Sequence, residues 1–220
     1  MTMAEYKRDF IEFAIFEDVL KFGNFTLKSG RNSPYFFNVG EFNSGEALQR
    51  LGGYYAAALI ESAIHVDCLF GPAYKGIPLV SATAITLAIE YGIDLPYAFN
   101  RKELKDHGEG GTLIGAPLVG DVVMIDDVIT AGTAIREAIT IIEQNAARVV
   151  GVMVAIDRQE RGGQGEISAI QELEREYGLS VINVVNLDNI VEYLASTGSY
   201  QRELEAIDSY RNKFGNNSTS

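Results

Sequence analysis

The sequence predicts an α/β domain in which a mostly parallel sheet is flanked by helices, and three observations carry that prediction. Short runs of apolar, largely β-branched residues recur at 66–70, 95–99, 122–125, 148–156 and 180–185, as expected of strands covered on both faces. Most of these runs lead through a glycine-rich or charged loop into a segment with apolar residues at helical spacing. The 220 residues, 47% of them hydrophobic, suffice for one such domain with a sizeable core.

Taken in order, residues 6–20 place Phe10, Phe13, Ala14 and Val19 at helical spacing and predict an amphipathic helix. Between Phe22 and Asn38 two short aromatic runs flank a Lys28-Ser29-Gly30-Arg31 turn, the pattern of a hairpin. Phe36 and Phe37 then point to opposite faces, so at most one enters a core. A planar ligand could stack on the other, or rest on the backbone between them, with Lys28 or Arg31 supplying charge. Residues 46–60 predict a helix and 66–70 a buried strand. The loop Gly71-Pro72-Ala73-Tyr74-Lys75-Gly76-Ile77-Pro78 follows, then a helix over 79–90. A glycine-flanked lysine at a strand's carboxyl end suits an anion, and a polyphosphate could share that lysine with backbone amides.

After the strand 95–99, residues 100–111 carry Arg101, Lys102, Lys105, His107 and three glycines, with almost nothing apolar to bury. Such a loop should be mobile when empty; a charge run of this kind is usually an exposed hairpin tip, yet its polarity also fits a lid that orders over a highly charged substrate. His107 has the side chain most easily poised near neutrality; His65 is given no role. Residues 148–156 form a further strand that delivers Asp157 and Arg158 to the same edge. Arg158 could make a two-pronged contact with a carboxylate or an imide edge. Helices are predicted over 169–177, 187–194 and 200–212, a strand over 180–185, and disorder over 216–220.

The chain is organised around Val122-Val123-Met124-Ile125-Asp126-Asp127-Val128-Ile129-Thr130-Ala131-Gly132-Thr133-Ala134. Its apolar run reads as a buried strand, and residues 135–145 read as a helix. The loop between a strand's carboxyl end and a helix's amino end is where open α/β sheets bind ligands. Amides of Ala131, Gly132 and Thr133 would face an anion at the positive end of the helix dipole, with the Thr130 and Thr133 hydroxyls as further donors. Asp126 and Asp127 have the wrong charge for a phosphate but accept well from vicinal hydroxyls. A phosphate beside a diol describes a ribose 5-phosphate. Neither Gly-x-x-x-x-Gly-Lys-Ser/Thr nor a strand-linked Gly-x-Gly-x-x-Gly is present.

These thirteen residues resemble the phosphoribosyl-pyrophosphate (PRPP) signature of the type I phosphoribosyltransferases. Further stretches narrow the resemblance to the bacterial-type orotate phosphoribosyltransferases: Phe25-Thr26-Leu27-Lys28-Ser29-Gly30-Arg31, Ser33-Pro34-Tyr35-Phe36-Phe37-Asn38, Phe70-Gly71-Pro72-Ala73-Tyr74-Lys75-Gly76, the 100–111 segment and Asp157-Arg158. The resemblance implies a type I phosphoribosyltransferase fold over 1–220. Its hood would comprise about residues 1–40 plus C-terminal elements, with a mobile lid over 100–111. It implies conversion of orotate and PRPP to orotidine 5'-monophosphate and pyrophosphate, with Mg²⁺ held mainly by substrate oxygens and water. It places the 5-phosphate at Thr130, Ala131, Gly132, Thr133 and Ala134, next to Val128 and Ile129 of the signature, and the ribose hydroxyls at Asp126 and Asp127. Tyr74 and Lys75 lie at the pyrophosphate. Orotate is held at Lys28, Phe36, Phe37, Thr130 and Arg158, with Lys28 also counted at PRPP. Arg101, Lys102, Lys105 and His107 belong to a lid that completes the neighbouring active site in a homodimer. With Asp126 and Asp127 they form the expected catalytic set.

Composition narrows the alternatives. A net charge of −12 argues against a nucleic-acid-binding regulator of this fold, which needs a basic face. Between Asn32 and Asn100 the only Lys or Arg residues are Arg50 and Lys75. Cations so scarce, yet clustered in glycine-rich loops, suggest a focused site for a small anion. A purine- or uracil-specific enzyme of the same fold stays open on the residues alone, although Lys28 and Arg158 favour an acidic base. No run approaches the ~18 apolar residues of a membrane span. One cysteine, Cys68, fits a reducing cytoplasm and a buried structural thiol. Two histidines and one cysteine cannot build a closed zinc site.

Overall fold

The structure is a computed structural model and describes residues 3–105, 111–130, 132–162 and 167–216. Helix α1 (Glu5–Phe16) leads into the antiparallel hairpin β1 (Leu20–Thr26) and β2 (Asn32–Phe37). After α2 (Gly45–Ser62) come β3 (Cys68–Gly71), α3 (Gly76–Glu90), β4 (Tyr97–Lys105), β5 (Gly111–Gly115) and β6 (Asp121–Ile125). The chain continues through α4 (Thr133–Gln144), β7 (Arg148–Asp157), α5 (Ala169–Tyr177), β8 (Ser180–Asn186), α6 (Leu187–Thr197) and α7 (Gln201–Phe214). The main sheet has the order β5-β4-β3-β6-β7-β8, parallel throughout except for β5 at its edge.

The continuous apolar runs are explained by two cores, one on each face of the sheet. Leu69, Val123, Ile125, Met153 and Ala155 point to the side packed by α1, α2, α3, α6 and α7. Their neighbours Cys68, Phe70, Val122, Met124, Val152 and Val154 point to the side packed by α4 and α5. Successive strand residues face opposite ways, so a strand covered on both sides must be apolar at every position. Cys68 is fully buried, has no partner thiol, and burial pushes its thiol up to about 11. Among the described residues no helix is long and apolar enough to cross a membrane.

Three local expectations are corrected. Helix α1 ends at Phe16 rather than residue 20: Asp18 takes a left-handed backbone (φ 59°), and Val19 and Leu20 turn into the core, where Leu20 opens β1 opposite Phe37. Helix α3 starts at Gly76, before the expected 79, because Pro78 falls in the first turn, where a missing amide costs no helical hydrogen bond. The third correction concerns the extent of the strand before 100–111, read as ending at Phe99 with an exposed loop or hairpin tip beyond it. Strand β4 runs on to Lys105 and returns through β5, pairing Asn100 with Leu113 and Lys105 with Gly111. Polar residues suit this extension because it runs past the end of β3, which pairs only with Tyr97–Phe99, and has β5 as its remaining partner. Residues 106–110, His107 among them, lie outside the described residues, as do the side chains of 103–105 and most of the tail expected to be disordered.

The hairpin is fastened to the main domain from several sides. Phe37 lies in the core near Phe10, while Tyr35 meets Tyr210 of α7 edge to face. Arg31 donates to the carbonyls of Arg161 and Gly162 (2.8 and 3.2 Å) and lies over the Phe214 ring. The turn itself closes with Leu27 N–H to the Arg31 carbonyl, Gly30 taking a positive φ of 80°.

Candidate active site

The parallel strands β3, β6 and β7 end side by side, and their following loops gather the charged residues at one edge of the sheet. After β3 the loop folds back tightly: a Cβ on Gly71 would lie 2.3 Å from the Gly76 carbonyl oxygen, and one on Gly76 2.7 Å from that of Ile125. Both positions therefore admit only glycine without displacing backbone. The Ala73–Tyr74 peptide is cis, and the Ala73 amide donates to Asn100 Oδ1 at 2.8 Å. This packing delivers Lys75 to Asp127, with Nζ 2.5 Å from Oδ2. Tyr74 is exposed, with Lys102 Nζ 5.2 Å from its ring centre.

Asp126 and Asp127 follow the last residue of β6, and neither is freely solvated. Tyr55, wholly buried, donates its hydroxyl to the Asp126 carbonyl at 2.8 Å, and the Asp127 amide donates to Asp126 Oδ1 at 2.8 Å. Burial pushes the Asp126 carboxyl up to about 7; the amide bond from Asp127 opposes the rise and the Asp127 charge adds to it. Asp127 is buried and keeps Lys75 as its counter-ion. Asp126 therefore holds its proton more tightly than a free carboxyl does, while Asp127 stays paired with a cation.

The turn beyond is open. Val128 packs on one core and Ile129 on the other, which fixes the direction of the loop between them. Thr130 is exposed, and Ala131 lies outside the described residues. Gly132 caps α4 with φ 71°, a conformation that glycine adopts without strain. Thr133, Ala134 and Ile135 form the first turn, whose amides have no carbonyl within the helix to bond, the arrangement that binds anions. The two carboxylates and the unbonded amides of α4 therefore stand at either end of one loop.

Arg158 closes this edge beside the hairpin. Its Nε donates to Glu160 Oε1 at 2.8 Å, its Nη2 lies 3.2 Å from Ser33 Oγ, and its guanidinium lies over the Tyr35 ring at 4.3 Å. Lys28 is exposed in the hairpin turn. Phe36 is 38% exposed and stacked on Phe25, whereas Phe37 is committed to the core. Arg101 is half-buried on β4. The structure thus brings Tyr74, Lys75, Lys102, Asp126 and Asp127 into one group and Arg158 with the inward face of β2 into another. No contact joins Lys28 or Phe36 to either group among the described residues.

Residues that received no role from the sequence turn out to build the site. They are Tyr55 and Asn100, which hold the Asp126 carbonyl and the Ala73 amide, and Ser33, Tyr35 and Glu160 around Arg158. The alternation in β2 carried a usable signal, since Ser33, Tyr35 and Phe37 share its buried face. Nothing local marked Tyr55 or Asn100.

The acidic donors can be weighed against Mg²⁺. Asp127 is paired with Lys75 and Asp126 accepts an amide, so the chain offers fewer oxygens than the six the ion takes. The donor set fits an ion whose shell is completed by a polyphosphate and water. A separate His65, Asp67 and Asp121 cluster lies at the amino ends of β3 and β6, away from this edge. Its oxygens are already engaged by His65, the Asp121 amide and Arg148.

Comparison with known proteins places this geometry among relatives. The phosphoribosyl transferase domain family matches residues 38–186. Orotate phosphoribosyltransferase of Pseudomonas paraeruginosa is 60% identical over 97% of this chain and all of its own length. That of Photorhabdus laumondii is 58% identical over the same shares. The crystal structure of orotate phosphoribosyltransferase from Francisella tularensis, 46% identical, superposes with a TM-score of 0.87 over 94% of this chain and 99% of the other.

Proposed function

The chain belongs to the phosphoribosyltransferase family, within its orotate phosphoribosyltransferase branch, and on that premise we propose that this edge transfers the ribose 5-phosphate of PRPP to orotate. The products are orotidine 5'-monophosphate and pyrophosphate, and the setting is pyrimidine biosynthesis in the cytoplasm. The observation that carries the reading is the carboxylate pair, Asp126 half-buried and Asp127 buried with Lys75 in contact, in the loop that leads to the unbonded amides of α4. In the reaction a bond forms from the orotate ring nitrogen to the anomeric carbon as the bond to pyrophosphate breaks. The nitrogen's proton is lost to solvent.

The residues divide this work. Thr130, Ala131, Gly132, Thr133 and Ala134 hold the 5-phosphate, their loop directed by Val128 and Ile129. Asp126 and Asp127 accept from the ribose hydroxyls and stabilise positive charge building on the sugar. Tyr74 and Lys75 meet the pyrophosphate, so PRPP takes over the Lys75 ammonium that Asp127 holds in the free chain. Arg101, Lys102, Lys105 and His107 stabilise the negative charge of the leaving group, and excluding water strengthens every such contact. Lys28, Arg158, Thr130 and the Phe36–Phe37 stretch position orotate, Phe37 through its backbone because its ring is buried. A Mg²⁺ ion, expected to be held mainly by PRPP oxygens and water, would supply further neutralisation of the pyrophosphate.

The site is completed in a homodimer in which the 100–111 lid serves the neighbouring subunit. One surface supports a second copy: Ile85 and Ile89 lie one turn apart on α3 and are exposed, with Tyr91, Ile93 and Tyr97 also exposed at the same end. On a chain of net charge −12 a face where exposed apolar residues outnumber the two carboxylates among them, Glu90 and Asp94, is where two copies can meet with least repulsion. Ile89→Glu is expected to shift the protein toward monomer in size-exclusion chromatography with light scattering, and to lower specific activity on dilution. An unchanged mass would move the interface elsewhere.

The function is tested by the ultraviolet absorbance of orotate mixed with protein, PRPP and Mg²⁺, repeated with uracil, hypoxanthine and adenine. A fall with orotate alone is expected. No change with any base, while PRPP still raised the melting temperature, would turn the reading toward a PRPP sensor.

A further inference from the structure

Arg158 is held between β2 and Glu160, two residues further along its own loop. Its Nε donates to Glu160 Oε1 at 2.8 Å, and its Nη2 lies 2.6 Å from that oxygen and 3.2 Å from Ser33 Oγ. The Tyr35 hydroxyl donates to Glu160 Oε1 at 3.2 Å, and Arg31 Nη1 stands 3.9 Å from Glu160 Oε2. Both Arg158 and Glu160 are largely buried, so these bonds are little screened. Two guanidinium nitrogens are thereby committed to the protein. Nη1 makes none of these bonds, and the buried Tyr210 hydroxyl is the other polar group that faces the Arg158–Glu160 pair among the described residues.

We propose that Glu160 is a positioning residue for base recognition: it fixes the plane of the Arg158 guanidinium so that Nη1 faces the orotate carboxylate or imide edge. This inference rests on the reading of Arg158 as a base-binding residue. Arg31 and Arg158 both flank the one Glu160 carboxylate, so Glu160 alone does not cancel the positive charge offered to a carboxylate on the base. Without Glu160 the guanidinium keeps its charge but loses the partner that sets its rotamer. A long side chain freed in this way spreads over several rotamers, and binding must select the productive one.

The test is steady-state kinetics on Arg158→Ala, Glu160→Gln and the double variant, with melting temperatures for each. Glu160→Gln is expected to raise the KM for orotate about tenfold, the effect of losing one hydrogen bond to a charged group, and to leave the KM for PRPP within about twofold. The double variant is expected to be no worse toward orotate than Arg158→Ala, because Glu160 acts through Arg158. An unchanged orotate KM in Glu160→Gln while Arg158→Ala raises it overturns the proposal alone, as do additive effects in the double variant. A parallel rise in both KM values overturns it in favour of a general role in holding the hood. An unchanged orotate KM in Arg158→Ala overturns the base-binding reading itself. If Glu160→Gln does not fold, Tyr35→Phe removes one bond to Glu160 and keeps every charge. It is expected to raise the orotate KM about threefold, and no rise would overturn the proposal.

Discussion

Replacing Asp126 and Asp127 together by asparagine is expected to abolish most turnover while making the free protein more stable at pH 8. Each carboxylate offers the ribose a hydrogen bond to a charged group, worth about 1.5–3 kcal/mol, so losing both costs roughly 4 kcal/mol, or about a thousandfold in kcat/KM for PRPP. Stability moves the other way. The Asp126 carboxyl is raised to about 7 by burial, whereas in the unfolded chain it titrates near the ordinary carboxylate value of about 4. The fold prefers the neutral acid, so the stability this group contributes is present below about pH 4 and is lost as pH rises toward 7. Asparagine carries no such cost. The gain in melting temperature should therefore be larger at pH 8 than at pH 5, read by calorimetry at both. An inactive variant with equal losses of stability at both pH values would make the pair a structural device. Full activity would remove it from ribose binding.

Lys105→Ala is expected to lower kcat about a hundredfold to a thousandfold, roughly 3 kcal/mol of barrier, and to change both KM values little. A cation that meets the pyrophosphate only as charge accumulates on it stabilises the transition state and not the bound substrates. The backbone supports such timing: Lys105 is the last residue of β4 and pairs with Gly111, so it stands at the tip of a two-stranded arm rather than on the body of the sheet. Steady-state kinetics separates the cases. A raised KM for PRPP with unchanged kcat would make Lys105 a binding residue, and no change in either would exclude it from the reaction.

The comparison of sequence with structure shows which signals were local. The Val122–Ile125 run and the helix after Gly132 were legible because burial on both faces forces apolar residues at every position. The end of α1 was not. Val19 continues the helical spacing of Phe10, Phe13 and Ala14, and only pairing with Phe37, seventeen residues beyond Leu20, diverts the chain into a strand. Strand β5 was missed for the same reason, since Gly111–Gly115 becomes a strand only by partnering β4. At the site, Asp126, Asp127 and Lys75 announced themselves by charge beside glycine. Tyr55 and Glu160 act on partners that are distant in sequence or set by a bend: Tyr55 is 71 residues from Asp126, and the 2-residue step from Arg158 to Glu160 closes only because Gln159 takes a positive φ of 52°. Sequence spacing does not encode such contacts.

The sealed environment of Cys68 has a practical consequence. A thiol with no exposed surface, shifted up to about 11, stays protonated and unreactive at neutral pH. The native chain therefore serves as its own background for site-directed labelling. A cysteine placed on β4 or β5 would take a maleimide fluorophore or nitroxide alone, with no need to delete Cys68 and disturb the core at β3. Distances from that label to a second on the sheet's edge would then report whether the arm moves during turnover.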